Sequence, residues 1–353
     1  MVYLFNIGLI LLWNIIIPET AKHKKRNLCI LYCLQWVLLS GLRAYTVGAD
    51  TYSYKVNHFD GTFVTPWETL FRNFSEYVHG VEGIKDPGYP IFEKICQFFV
   101  GENYTMFLLI IACVFTIPMT VWIYRYSDNV CLSFMIYSTL FYSFFAITGH
   151  RQTIATALVV FLGYECMKKN KLVPLLLLNI IAFFIHKSSV CFLILYFARY
   201  IRINKLYWTL STTGIVLSFV FRRQFMTFIG AFLGYEDYAN WNEAAGAYTF
   251  MAILAIIYIA TMIFYKKLPK NVDTDYAVVA LTFAMIFVSF TFVNPAAMRV
   301  VQYFSVFIMI LIPRFFQLFD TRSRFLVVCA CHAVLVLSLI LKMPEYTFVF
   351  SQV

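Results

Sequence analysis

An all-α, polytopic membrane protein with about 12 transmembrane helices is the fold class predicted here, with apolar runs long enough to cross a hydrocarbon core of roughly 30 Å. Three observations predict it. Hydrophobic residues make up 61% of the 353-residue chain and charged residues only 13%, against roughly 25% charged in soluble domains. Apolar runs recur along the whole length, and the polar residues between them gather in short clusters. No water-soluble fold hides that much apolar surface.

In chain order the predicted spans are residues 2 to 18, 28 to 42, 104 to 124, 131 to 147, 152 to 167, 172 to 186, 189 to 200, 207 to 221, 248 to 265, 276 to 293, 299 to 318 and 325 to 341. Those at 28 to 42, 172 to 186 and 189 to 200 are short, as helices buried among others or ending in a polar cavity often are. Cationic loops tend to be retained in the cytoplasm. Lys22 to Arg26, Arg125, Lys168 to Lys171, Arg199 to Lys205, Lys266 to Lys270 and Arg314 to Arg324 all fall on one set of alternate loops. Both termini are therefore expected outside, and residues 1 to 18 read as a first span rather than a cleaved signal peptide. The net charge of +10 follows from this asymmetry, so no nucleic-acid partner is expected.

The chain reads as a single integral membrane domain, 1 to 353, with two outer loops. The long one, 43 to 103, contains residues 90 to 100, which place Ile91, Ile95, Phe98 and Phe99 on one helical face and Glu93, Lys94 and Gln97 on the other. That pattern predicts an interfacial helix lying against membrane lipid. The second loop, 222 to 247, carries the acidic, aromatic stretch Glu236 to Asn242. It reads as an interfacial belt with a solvated acidic loop, or as a lid over substrate. The nine cysteines show neither a disulfide framework nor zinc spacing.

Five clusters carry candidate chemistry, and each falls on the expected outer side. Arg43, Gly48, Asp50, Thr51 and Tyr54 combine a permanent cation, a free backbone and a carboxylate, suited to gripping an anionic head group beside a base. The same residue types also serve as snorkelling anchors. Asp86-Pro87-Gly88-Tyr89 has turn composition, with Asp86 as acceptor-binding group or base and Tyr89 stacking on a sugar ring. Arg151 opens the span at 152 to 167 behind His150, and an arginine there needs a partner or a wet cavity.

His186 and Lys187 offer a proton acceptor and a phosphate contact at the end of an apolar run. Arg299 and Tyr303, four apart on one helix, would touch one ligand together. Taken together, Arg43, Arg151, Lys187 and Arg299 form a cationic set, with Asp50, Asp86 and His186 as proton acceptors. That set suits transfer from a lipid-linked diphosphate.

These residues resemble the EpsG family of exopolysaccharide polymerases, a Wzy-like group. The resemblance rests on Arg43 with Gly48-Ala49-Asp50-Thr51 and Tyr54, Asp86-Pro87-Gly88-Tyr89, Arg151-Gln152 with Ala155, His186-Lys187-Ser188-Ser189, and Arg299 with Tyr303. The family more often has Glu at the position of Asp86. The resemblance implies a GT-C-like glycosyltransferase, multi-pass in the bacterial cytoplasmic (inner) membrane. Such an enzyme joins undecaprenyl-diphosphate-linked oligosaccharide repeat units into capsular or exopolysaccharide on the outer face, with a chain-length regulator and a flippase as further partners.

Mechanistically, the arginines and Lys187 bind the donor diphosphate, and Asp50, Asp86 or His186 accepts the proton of the attacking hydroxyl. No cofactor and no metal are expected, since the cations do the work of a metal. Two readings compete. A transporter or flippase usually places ionisable groups at the bilayer midplane within repeated halves, whereas these clusters sit at span ends. An outer-facing membrane acyltransferase would use His150 or His186 as base.

Overall fold

Helices form wherever the apolar runs predict them, because a backbone removed from water must satisfy its own N–H and C=O groups. The computed structural model describes residues 1–233 and 247–351. The stretch 236 to 242, expected within the second outer loop, lies outside the described residues. Among those residues the chain is all-helical, apart from one isolated antiparallel bridge between Arg43 and Phe348.

Each of the predicted apolar runs is helical, but few of the helices are long. Among the described residues four are long and apolar enough to cross a membrane: Tyr104–Tyr126, Tyr248–Lys267, Val272–Phe292 and Thr321–Ile340. A fifth arises if Pro295–Ser305 and Ile308–Leu318, bent by 52°, count as one span. Val2–Ile16, Val130–Phe141 and Leu172–Ile185 are apolar and shorter. Some runs are broken by π-helical turns, as at Tyr137–Phe141 and Ala157–Leu162, and another such turn, Tyr54–Phe59, lies in the outer loop; π-turns occur often at functional sites.

The described residues divide into two compact units. One comprises residues 1–190 and 325–353, the other residues 191–324. In the first, helix Lys24–Gly41 packs along Tyr104–Tyr126, which also meets Gly88–Val100 and His150–Thr156, while Leu172–Ile185 meets the latter two. Phe59, Tyr89, Phe107, Leu108, Ile111 and Ile154 form a buried apolar cluster among these elements. Four separate stretches of chain are thereby held over one core.

Helix Gly88–Val100 turns its faces in an order unlike a soluble helix. Phe98 (84% exposed) and Phe99 (76%) point outward, while Glu93 (0%) and Gln97 (5%) are buried. Gln97 Nε2 donates to the Phe59 carbonyl at 2.6 Å, and Thr62 Oγ1 donates to Glu93 Oε2 at 3.0 Å. The predicted two-faced pattern is present, with the polar face directed into the protein.

In the second unit, Val272–Val288 packs against Lys205–Val220, Tyr248–Phe264 and Met298–Ser305. Asn294 caps the turn before Met298–Ser305 by accepting from the Ala296 N–H at 2.8 Å.

Candidate functional site

The turn Asp86-Pro87-Gly88-Tyr89 closes with the Tyr89 N–H donating to the Asp86 carbonyl at 3.0 Å. Asp86 itself adopts φ +51°, a left-handed conformation that Asp tolerates better than most residues. Gly88 lets this turn seat on the end of helix Leu172–Ile185. A Cβ there would lie 2.9 Å from the Phe184 carbonyl carbon. The close approach brings Asp86 to where that helix ends.

At that end the chain leaves the helix at His186, whose φ of −157° and ψ of 104° are extended. The next backbone N–H, of Lys187, has no helical acceptor behind it and donates to Asp86 Oδ1 at 3.1 Å. Asp86 Oδ2 accepts from Arg151 Nη1 at 3.0 Å and from His186 Nδ1 at 3.4 Å. Three of the sequence-predicted clusters thus meet on one carboxylate. Burial pushes the Asp86 carboxyl up, but the His186 hydrogen bond, the charges of His186 and Arg151 and the Lys187 N–H outweigh it and hold the group below the ordinary value. Asp86 therefore serves better as an orienting anion than as a proton acceptor.

His186 is oriented by this contact. Its Nδ1 must carry the proton it gives to Asp86, so in the neutral ring Nε2 keeps the lone pair. Carboxylate and imidazole so paired form an arrangement suited to general-base work. Arg151, with a side chain 26% exposed, also donates through Nε to the Tyr54 hydroxyl at 3.3 Å and lies over the Tyr54 and Tyr89 rings at 5.6 and 5.9 Å. Those bonds leave guanidinium donors for an anion.

Behind this outer group lies an enclosed one. Arg43, only 2% exposed, donates to the Ser40 carbonyl and to His150 Nε2, the latter at 3.0 Å. His150 Nδ1 meets the Tyr89 hydroxyl at 3.3 Å, and the Tyr54 ring stacks on the imidazole with centroids 4.3 Å apart. The Arg43 segment is pinned by Thr51, which donates to the Ile147 carbonyl at 2.8 Å, and by Gly48 at φ +100°. Ala44 N–H and Val349 N–H complete the bridge to the C-terminal residues. The Tyr54 ring is committed to His150 and Tyr89 is 0% exposed, so neither offers an open face to a sugar.

The remaining predicted site residues are Asp50, Arg299 and Tyr303. Asp50 is exposed and makes no side-chain hydrogen bond or ion pair among the described residues. Arg299 and Tyr303 belong to the second unit. Tyr303 is fully buried and Arg299 exposed, so the spacing that put them on one helical face does not present both outward.

Two residues of the assembly were missed by sequence reading. His58 lies with its ring 5.5 Å from that of Tyr54 and 6.0 Å from that of Tyr89. Burial and the Arg151 charge lower its affinity for a proton, against the opposing pull of Asp86. Glu93 follows Tyr89 by four positions on the inner face of Gly88–Val100. Burial pushes its carboxyl up to about 8, despite hydrogen bonds from Tyr89 and Thr62 and the charge of Arg151. Near neutral pH it is chiefly protonated, so the assembly holds two guanidiniums, Arg43 and Arg151, and one ionised carboxylate, Asp86. The assembly carries excess positive charge, as an anion site requires.

The two carboxyls have opposite consequences for pH. Asp86 contributes stability above the ordinary carboxylate range that is lost as pH falls through its lowered value. Glu93 keeps a proton that the unfolded chain releases near 4.5, so its contribution is full below that and is lost as pH rises through about 8. Glu93→Gln, which cannot ionise, is expected to gain thermal stability relative to wild type as pH rises from about 5 to about 9. Thermal unfolding in detergent measures this; parallel curves for the two proteins would contradict it.

No curated protein and no solved structure matches the chain. A family model does, across residues 26–351, nearly the whole length and including every residue of this assembly. The chain belongs to the EpsG family.

Proposed function

We propose that this protein is an oligosaccharide repeat-unit polymerase, a glycosyltransferase that joins undecaprenyl-diphosphate-linked repeat units on the outer face of the bacterial cytoplasmic membrane. A polysaccharide-polymerase-like function goes with EpsG membership. The single observation that carries the finer reading is the convergence of Arg151, His186 and the Lys187 N–H on Asp86.

In this reading Arg151 and Lys187 hold the donor diphosphate and stabilise the charge that grows as it leaves. His186 Nε2 takes the proton of the acceptor hydroxyl, whose oxygen attacks the anomeric carbon as the bond to the diphosphate breaks. The lipid diphosphate departs with the bonding electrons, and the configuration at the anomeric carbon inverts. His186, rather than Asp50 or Asp86, is the base, because Asp86 is saturated by its three donors and orients the imidazole instead. Arg43 is enclosed and acts through His150.

The outward placement follows from the cationic loops, and the twelve-span, GT-C-like architecture from the apolar runs and the resemblance. Membrane lipid, a chain-length regulator and a flippase are its expected neighbours. Purified protein in lipid vesicles, given a lipid-linked repeat unit, is expected to yield a ladder of products on a gel. A product that remains a single repeat unit, or gains an acyl group, would overturn the assignment.

A further inference from the structure

We infer that Arg43 and Tyr89 hold His150 in its Nδ1-protonated form, and that this string positions Arg151. A guanidinium has five N–H donors and no acceptor, so the 3.0 Å contact from Arg43 Nη2 obliges His150 Nε2 to accept. In the neutral ring the proton then sits on Nδ1, where it is donated to the Tyr89 hydroxyl at 3.3 Å.

Every member of this string is 2% exposed or less, so water does not compete for its hydrogen bonds. Its direction excludes His150 as a general base, because the lone pair such a base needs is taken by Arg43. The consequence lies one residue away. Tyr54 stacks on the His150 ring at 19° between planes, and the Tyr54 hydroxyl accepts from Arg151 Nε. A His150 ring that turned would carry the Tyr54 face, and with it the guanidinium. Arg43 and Tyr89 are positioning residues that act through His150. This last step rests on Arg151 being the phosphate contact; the tautomer does not.

Two readouts separate those parts. In full-length protein labelled with 15N-histidine and assigned by loss of the signal in His150→Gln, His150 is expected to show a protonated Nδ1 and an unprotonated Nε2. Arg43→Leu, which removes the donor that obliges Nε2 to accept, is expected to give a mixture of tautomers. A wild-type ring protonated on Nε2, or an Arg43→Leu ring unchanged, would overturn the proposal whether or not the protein polymerises.

For turnover, Tyr89→Phe, which keeps the ring and removes the acceptor of the His150 Nδ1 proton, is expected to raise KM for the lipid-linked donor about tenfold with a smaller change in kcat. A fall in kcat alone would remove the positioning role while leaving the tautomer result intact.

Discussion

Arg151→Ala is expected to slow transfer from a lipid-linked donor by about 10²- to 10³-fold in single-turnover assays, the usual cost of deleting one preorganised donor to a developing negative charge. The variant has a second effect, because Asp86, with a side chain only 10% exposed, loses one of its three donors and keeps His186 and the Lys187 N–H. Losing a donor to a buried carboxylate costs on the order of 1–3 kcal/mol, and this must be told apart from catalysis. The double variant Arg151→Ala/Asp86→Ala removes both charges and is expected to recover thermal stability while remaining slow. If the double variant polymerised normally, Arg151 would be a structural partner of Asp86 and nothing more. Arg151→Lys keeps the charge but not the planar fork that reaches Tyr54 and Asp86 together, and should lie between the two.

His186→Ala is expected to lower kcat by about 10²- to 10⁴-fold, the range for loss of a general base. Asp86→Asn should fall within about an order of magnitude of it. The reason is geometric. An Asn amide still reaches the Lys187 N–H but no longer holds a proton on His186 Nδ1, so the lone pair is free to sit on the wrong nitrogen. Cells carrying either variant should accumulate single lipid-linked repeat units, measured by mass spectrometry of extracted lipids. Asp50→Asn, at an exposed position outside the assembly, should leave the polymer unchanged. Loss of polymer in Asp50→Asn with normal polymer in His186→Ala would reverse the assignment of the base.

Much of the scaffold was legible because hydrophobic run length is a physical requirement of a helix in lipid, and each run from 2 to 18 through 325 to 341 is helical. What the runs did not disclose was how much of each is a straight span. The π-turns at Tyr137–Phe141 and Ala157–Leu162 and the 52° bend after Ser305 are not encoded in a linear hydropathy pattern.

The convergence of Asp86, Arg151 and His186 was legible for a different reason. A charged or polar group at the end of an apolar run needs a partner, and few partners exist. Glu93 was hidden by the opposite signal, since an acid on the polar face of an amphipathic helix reads as solvated. Only where the apolar face turns outward, as Phe98 and Phe99 do, does the polar face become the buried one. Arg43 shows the limit of reading charge without burial. Its cation was evident, but not that Ser40 and His150 enclose it.

Inorganic pyrophosphate binding to the purified protein tests the anion site most directly, by phosphorus NMR or by competition against the lipid-linked donor. Saturable binding to wild type is expected. Arg151→Gln and Lys187→Gln should each weaken it about tenfold or more, roughly 1.4 kcal/mol, with thermal unfolding little changed. Equal affinity in wild type and in folded Arg151→Gln would contradict a phosphate site at Asp86, Arg151 and His186.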